Sequence, residues 1–131
     1  MAQKSALIID DEPDITTYLG TLLSDHGWDV RTANAADDGL VLARAGRPDV
    51  ILLDVMMPER GGLSTLIALR KDDGLRGVPV ILVTGVQQSL TADYRAFLDR
   101  FKHYHPDGYV EKPVDPEVLL QVIASVTSAQ A

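Results

Sequence analysis

Three stretches of this chain, Ala6-Leu7-Ile8-Ile9, Val50-Ile51-Leu52-Leu53 and Val78 to Val83, contain no polar side chain. Each is too short for a stable helix, and each is flanked by turn or helix-start signals, so each reads as a strand. A strand without alternating polar residues has no face to offer water, and such strands belong in parallel sheets covered by helices on both sides. Two further segments mix polar residues into the pattern, Trp28 to Ala33 and Tyr109-Val110-Glu111. They read as the edges of the same sheet.

Helix signals separate these strands. Pro13 suits a first helical turn, Ile15, Leu19 and Leu22 follow at helical spacing, and Gly27 stops the run. Asn34 is placed to cap a short helix ending near Gly46. Pro58 and a Gly61-Gly62 turn precede a helix bearing Leu63, Leu66 and Ile67. Leu90, Tyr94, Phe97, Leu98, Phe101 and Tyr104 follow a 3.6-residue period, with Pro106-Asp107-Gly108 as the stop. Asp115 and Pro116 open the last helix, whose buried stripe is Leu119, Val122, Ile123 and Val126.

Strand and helix signals thus alternate through the chain, which predicts an α/β, doubly wound (βα)5 parallel sheet of flavodoxin-like type. Right-handed crossovers with the second and fifth strands at the edges predict the order 2-1-3-4-5. The 131 residues suit one domain with a core over about 5–127 and no effector domain. Twelve basic against nineteen acidic residues, a net charge of −7, argue against direct binding to nucleic acid or an anionic membrane surface. The absence of cysteine excludes disulfides and thiol chemistry and, with no signal-peptide-like core near the start, points to the cytoplasm.

Asp10 and Asp11 follow the first apolar run, Asp54 follows the second, and Lys112 follows Tyr109-Val110. In the order 2-1-3-4-5 the first and third strands lie side by side at the topological switch point, so the three acids converge at one rim. Close carboxylates raise one another's pKa unless a cation neutralises them, and a hard divalent ion, Mg2+ first, is the natural partner. Taken singly, each residue has a blander role. Asp11 could cap the helix at Pro13, Asp54 could be an ordinary loop acid after a strand and Lys112 a surface charge. Their coincidence in one crevice favours a site.

Ile8-Ile9-Asp10-Asp11-Glu12, Leu53-Asp54-Val55-Met56-Met57-Pro58, Val83-Thr84-Gly85 and Tyr109-Val110-Glu111-Lys112-Pro113, in this order and on these elements, resemble the receiver domain of two-component response regulators. The resemblance covers nearly the whole chain. It implies that Asp54 accepts a phosphoryl group from a sensor histidine kinase or phosphotransfer protein. Asp11, Asp54 and the Met56 carbonyl would ligate Mg2+, with Asp10 orienting bound water. Thr84, the Gly85 amide and Lys112 would each take a phosphoryl oxygen, and Tyr109 would be the switch aromatic. Such a domain catalyses only its own phosphorylation and dephosphorylation. A cis Lys112-Pro113 peptide is also implied.

Two other classes share parts of this pattern. A phosphohydrolase of the haloacid dehalogenase type needs a second acid two residues after its nucleophile, where this chain has Met56. A flavin binder of the same strand order needs a phosphate loop after the first strand, where Asp10-Asp11-Glu12 would repel phosphate. A receiver that binds partners without phosphorylation is the remaining alternative. One departure from the family concerns the 28 positions from Thr84 to Lys112, several more than the family pattern, with five of seven aromatics between 94 and 109. In the family the fourth through fifth helices form the output and homodimer face, so the lengthening bears on that face and its output partner. His26, His103 and His105 are expected to be solvated helix residues.

Overall fold

The computed structural model describes residues 4–55, 61–85, 99–100 and 104–128. The chain runs β1 (Ser5–Ile9), α1 (Pro13–Asp25), β2 (Asp29–Ala33), α2 (Ala36–Ala45), β3 (Val50–Asp54), α3 (Gly61–Lys71), β4 (Val80–Gly85), β5 (Gly108–Lys112) and α4 (Pro116–Ser128). All five strands are parallel in the order β2-β1-β3-β4-β5. The predicted architecture and strand order are those observed.

Alternation along the strands divides the core between two layers. Leu7, Ile9, Ile51, Leu53, Val80 and Leu82 face Leu40 of α2 and Leu66 and Leu69 of α3. Ala6, Ile8, Val50, Leu52, Ile81, Val83 and Val110 face Leu19 and Leu23 of α1 and Leu119 and Ile123 of α4. Every residue of β3 is buried, which explains why that run tolerates no polar residue before Asp54. Each fully buried Leu or Ile contributes roughly 1.5–3 kcal/mol, so the three central strands anchor the rim residues that follow them. At the edges only Ala33 of β2 and Val110 of β5 are buried.

Local signals mostly act as read. Gly27, at φ 90, closes α1: its N–H donates to Ser24 O and that of Trp28 to Leu23 O, a Schellman pair. Asp115 Oδ1 accepts from the N–H groups of Glu117 and Val118 at the start of α4. Asn34 does not cap α2. Ala35 is the N-cap, with no side-chain bond, and the Asn34 amide is committed to the β1–α1 connection. Gly61 and Gly62 are the first residues of α3 rather than a turn before it. His26 follows α1, with a ring nitrogen 2.8 Å from Leu22 O, and His105 is not helical but holds φ 55. His103 and most of the aromatic-rich segment, including Leu90, Tyr94, Phe97, Leu98 and Phe101, lie outside the described residues.

Arg70, near the end of α3, organises the entry to β5. Its guanidinium donates to the carbonyls of Tyr104, Arg76, Val78 and His105 at 2.9–3.2 Å and to Asp107 Oδ2 at 2.9 Å. The same Asp107 oxygen accepts from Val80 N, and Asp107 N donates to Val80 O. A rigid, multi-donor fork is suited to several carbonyls at once. It ties α3, β4 and the start of the strand that ends at Lys112.

Gly62 fits directly beneath the end of β3. A Cβ there would stand 2.7 Å from the carbonyl oxygens of Asp54 and Val55, and backbone cannot yield as a side-chain tip can. Gly62→Ala should gain about 1 kcal/mol of helix propensity. Overpacking of roughly 1–3 kcal/mol should outweigh it. The expected outcome is net destabilisation in urea denaturation, with an unchanged or greater stability indicating that β3 and α3 can separate without cost.

Candidate functional site

The carboxyl ends of the strands bring the predicted residues together. Ile9 pairs with Leu53, so Asp10, one residue on, stands beside Asp54 at the end of β3. Gly85 pairs with Lys112, the last residues of β4 and β5. Asp10, Asp54 and Thr84 are all buried, Asp10 to 1% exposure. Lys112 Nζ lies 3.2 Å from Asp10 Oδ2, 3.5 Å from Glu12 Oε1 and 3.7 Å from Asp54 Oδ1. One ammonium therefore faces three carboxylates. The Lys112-Pro113 peptide is cis.

The β1–α1 connection is shaped around Asp10. Its Oδ1 accepts the Glu12 N–H at 2.9 Å, while buried Oδ2 accepts no well-aligned hydrogen bond among the described residues and meets Lys112 only as an ion pair. Glu12, not Asp11, is the N-cap of α1, and no side-chain capping bond is made there among the described residues. Carboxylate oxygens of Asp10, Asp11 and Glu12 lie within 4.8 Å of one another. An under-satisfied buried oxygen beside further hard oxygen donors, with more negative charge than Lys112 can neutralise, fits a hard divalent cation. Glu12 is the member of this cluster to which the sequence assigns no role. Its only signal was adjacency to the acid pair, since nothing in the order of residues shows that it reaches Lys112.

Burial raises the Asp10 pKa above its ordinary 3.8, against the opposing pull of the Glu12 N–H and the Lys112 charge. Burial acts to lower that of Lys112, but attraction from Asp54, Asp10 and Glu12 prevails and leaves it above 10.5. Tyr109, on β5 with 40% exposure, has its phenol raised by burial and by Asp99. It alternates with buried Val110 and so projects from the opposite side of the strand. Met56 lies outside the described residues.

Residues 6–124 match the sequence model of the family described as the response regulator receiver domain. The chain belongs to that family. Protein PilH of Pseudomonas aeruginosa is 37% identical over 120 residues, a match spanning 92% of this receiver and 94% of PilH. The probable transcriptional regulatory protein TcrX of Mycobacterium tuberculosis is 36% identical, but the match spans 92% of this chain and 48% of TcrX. This receiver therefore spans about half the length of that relative. Among solved structures, chemotaxis protein CheY4 of Vibrio cholerae is similar with a TM-score of 0.84 and 28% identity, over 95% of this chain and 99% of CheY4. The receiver is a signalling domain of two-component systems, which decides against the hydrolase and flavin-binding readings. Among the described residues no helix is long and apolar enough to cross a membrane.

The raised pKa of Asp10 has a defined sign. A carboxyl favoured in its protonated form in the fold contributes stability below pH 3.8, and loses it as pH rises through the higher folded value. At neutral pH the metal-free receiver carries the cost of burying this carboxyl. Asp10→Asn keeps an oxygen for the Glu12 N–H and should raise the metal-free Tm at pH 7 by roughly 3–6 °C. That gain should shrink as the pH falls towards 3.8 in scanning calorimetry. A lowered Tm at pH 7 would show that the Lys112 pairing outweighs burial.

Proposed function

We propose that Asp54 is the phosphoryl acceptor of this receiver, with a sensor histidine kinase or phosphotransfer protein as donor. The observation that carries this reading is the position of Lys112 Nζ between Asp10 and Asp54 at the carboxyl ends of adjacent strands. An Asp54 carboxylate oxygen attacks phosphorus, an oxygen–phosphorus bond forms, and the donor's nitrogen–phosphorus bond breaks with its electron pair returning to the imidazole. The transition state is loose, so the residues mainly position groups and neutralise charge. Lys112 can shift from the carboxylates to a phosphoryl oxygen with little travel. The Thr84 hydroxyl and Gly85 amide donate to the others.

Asp10, Asp11, Asp54 and the Met56 carbonyl are the residues that would hold Mg2+, with Glu12 beside them. When bound, the ion supplies charge neutralisation for phosphoryl oxygens. Thr84 and Tyr109 form the switch: the hydroxyl moves towards the new phosphoryl group and the exposed ring of Tyr109 turns into the space it leaves. The output partner meets the Tyr109 side of the domain, with the segment after β4 and α4 as the face for self-association. The cytoplasm is the compartment that suits a kinase-fed, cysteine-free domain.

Incubation with acetyl phosphate and Mg2+, followed by intact mass, should show one added phosphoryl group on the wild type and none on Asp54→Asn. Undiminished labelling of that variant would falsify the assignment.

In the receiver family the side chains two after the acceptor and two after the threonine flank the path of a water attacking in line behind phosphorus, and here those residues are Met56 and Val86, neither of which hydrogen-bonds water usefully. One missing orienting contact slows hydrolysis by about tenfold, equivalent to about 1.4 kcal/mol of barrier. The phosphorylated form should therefore persist for minutes or longer. Phosphoryl decay is expected to accelerate in Met56→Asn and Val86→Glu; unchanged or slower decay in both would mean that these side chains are passive.

A further inference from the structure

Asn34 lies just beyond β2 and is largely exposed, so water could satisfy its amide. Instead Nδ2 donates to the Asp10 carbonyl at 2.9 Å and to Thr16 Oγ1 at 3.1 Å. A carbonyl can only accept, which settles the orientation of the amide. Thr16 is buried and its hydroxyl donates to Pro13 O at 3.0 Å, so the same network reaches the first turn of α1. The Asp10 N–H donates to Ala33 O at 3.1 Å. Both backbone polar groups of Asp10 are thus held by residues 33 and 34, and its Oδ1 by Glu12 N.

The Asp10 carbonyl belongs to the peptide plane from which Asp11 departs. Turning that plane would swing Asp11 away from Asp10 and Glu12, as mutual repulsion of the carboxylates favours. The observed convergence within 4.8 Å needs a restraint outside the acidic trio, and the Asn34 amide is bonded to the carbonyl that would move. We infer that Asn34 is a positioning residue that holds the Asp10–Asp11 peptide plane and thereby sets the affinity of the acidic cluster for a divalent cation. This rests on the reading of that cluster as the Mg2+ site. The asparagine does so in place of the capping role its position before α2 predicts.

The test is calorimetric titration of the wild type, Asn34→Ala and Asn34→Asp with Mg2+, with metal-free melting temperatures measured in parallel. Outer-shell partners of metal ligands typically change affinity by about 10–100-fold. The expected result is a Kd raised about tenfold in Asn34→Ala. Asn34→Asp should be at least as weak, because it keeps the size but sets an acceptor against the Asp10 carbonyl. Acetyl-phosphate labelling of Asn34→Ala should fall at limiting Mg2+ and recover to within about threefold of wild type at saturation, a split that a merely structural defect would not produce. If the wild type itself fails to bind Mg2+, the underlying reading of the site is wrong. If it binds and both folded variants bind within twofold of it, the role of Asn34 is overturned; should Asn34→Ala not fold, the near-isosteric Asn34→Asp decides by the same criterion.

Discussion

The carboxylates around Lys112 are the constraint on which this structure turns. Like charges about 4 Å apart repel by roughly 4 kcal/mol at the effective dielectric of a protein surface, and burial adds a desolvation cost. Asp10 and Asp54 are nonetheless buried side by side, with Asp11 and Glu12 close to Asp10. A single ammonium, 3.2–3.7 Å from three of the acids, offsets only part of that. The rest must come from elsewhere in the fold, which holds the groups in place against their own repulsion.

Much of that restraint is apolar. β1, β3 and β4 are packed on both faces, so their carboxyl ends cannot retreat without opening one of two hydrophobic layers. The remainder is polar and specific. Gly62 lets α3 approach the Asp54 carbonyl, Asn34 ties the Asp10 carbonyl to the end of β2, and Arg70 anchors the entry to the strand that delivers Lys112. The arrangement holds more negative charge at this rim than Lys112 can neutralise, a trade of stability that is common where function needs destabilising chemistry.

The fold was legible because its signals are local and periodic. Apolar runs too short for helices, Gly27 after α1, and Asp115-Pro116 before α4 each state their role within a few residues, and the strand order follows from connection rules. The acids after β1 and β3 were legible for the same reason, since a strand-end residue goes where its strand goes. Asn34 has the local signature of a cap because asparagine favours helix starts, whereas its actual partners are 24 and 18 positions away. His105 looked helical because a periodic aromatic pattern precedes it. Its φ of 55 belongs to the turn whose carbonyl Arg70 holds.

The sequence by itself determined a parallel (βα)5 sheet, its switch point and the convergence of Asp10, Asp54 and Lys112, because burial pattern and chain direction suffice to place strand ends. Only the tertiary structure decided which atoms those residues face. Glu12 shares Lys112 although 100 positions separate them, Asp10 Oδ2 has no well-aligned donor among the described residues, and five acceptors from two segments meet on Arg70. Contacts of this kind depend on distances between elements that no local pattern encodes, and they arise only once both faces of the sheet are packed.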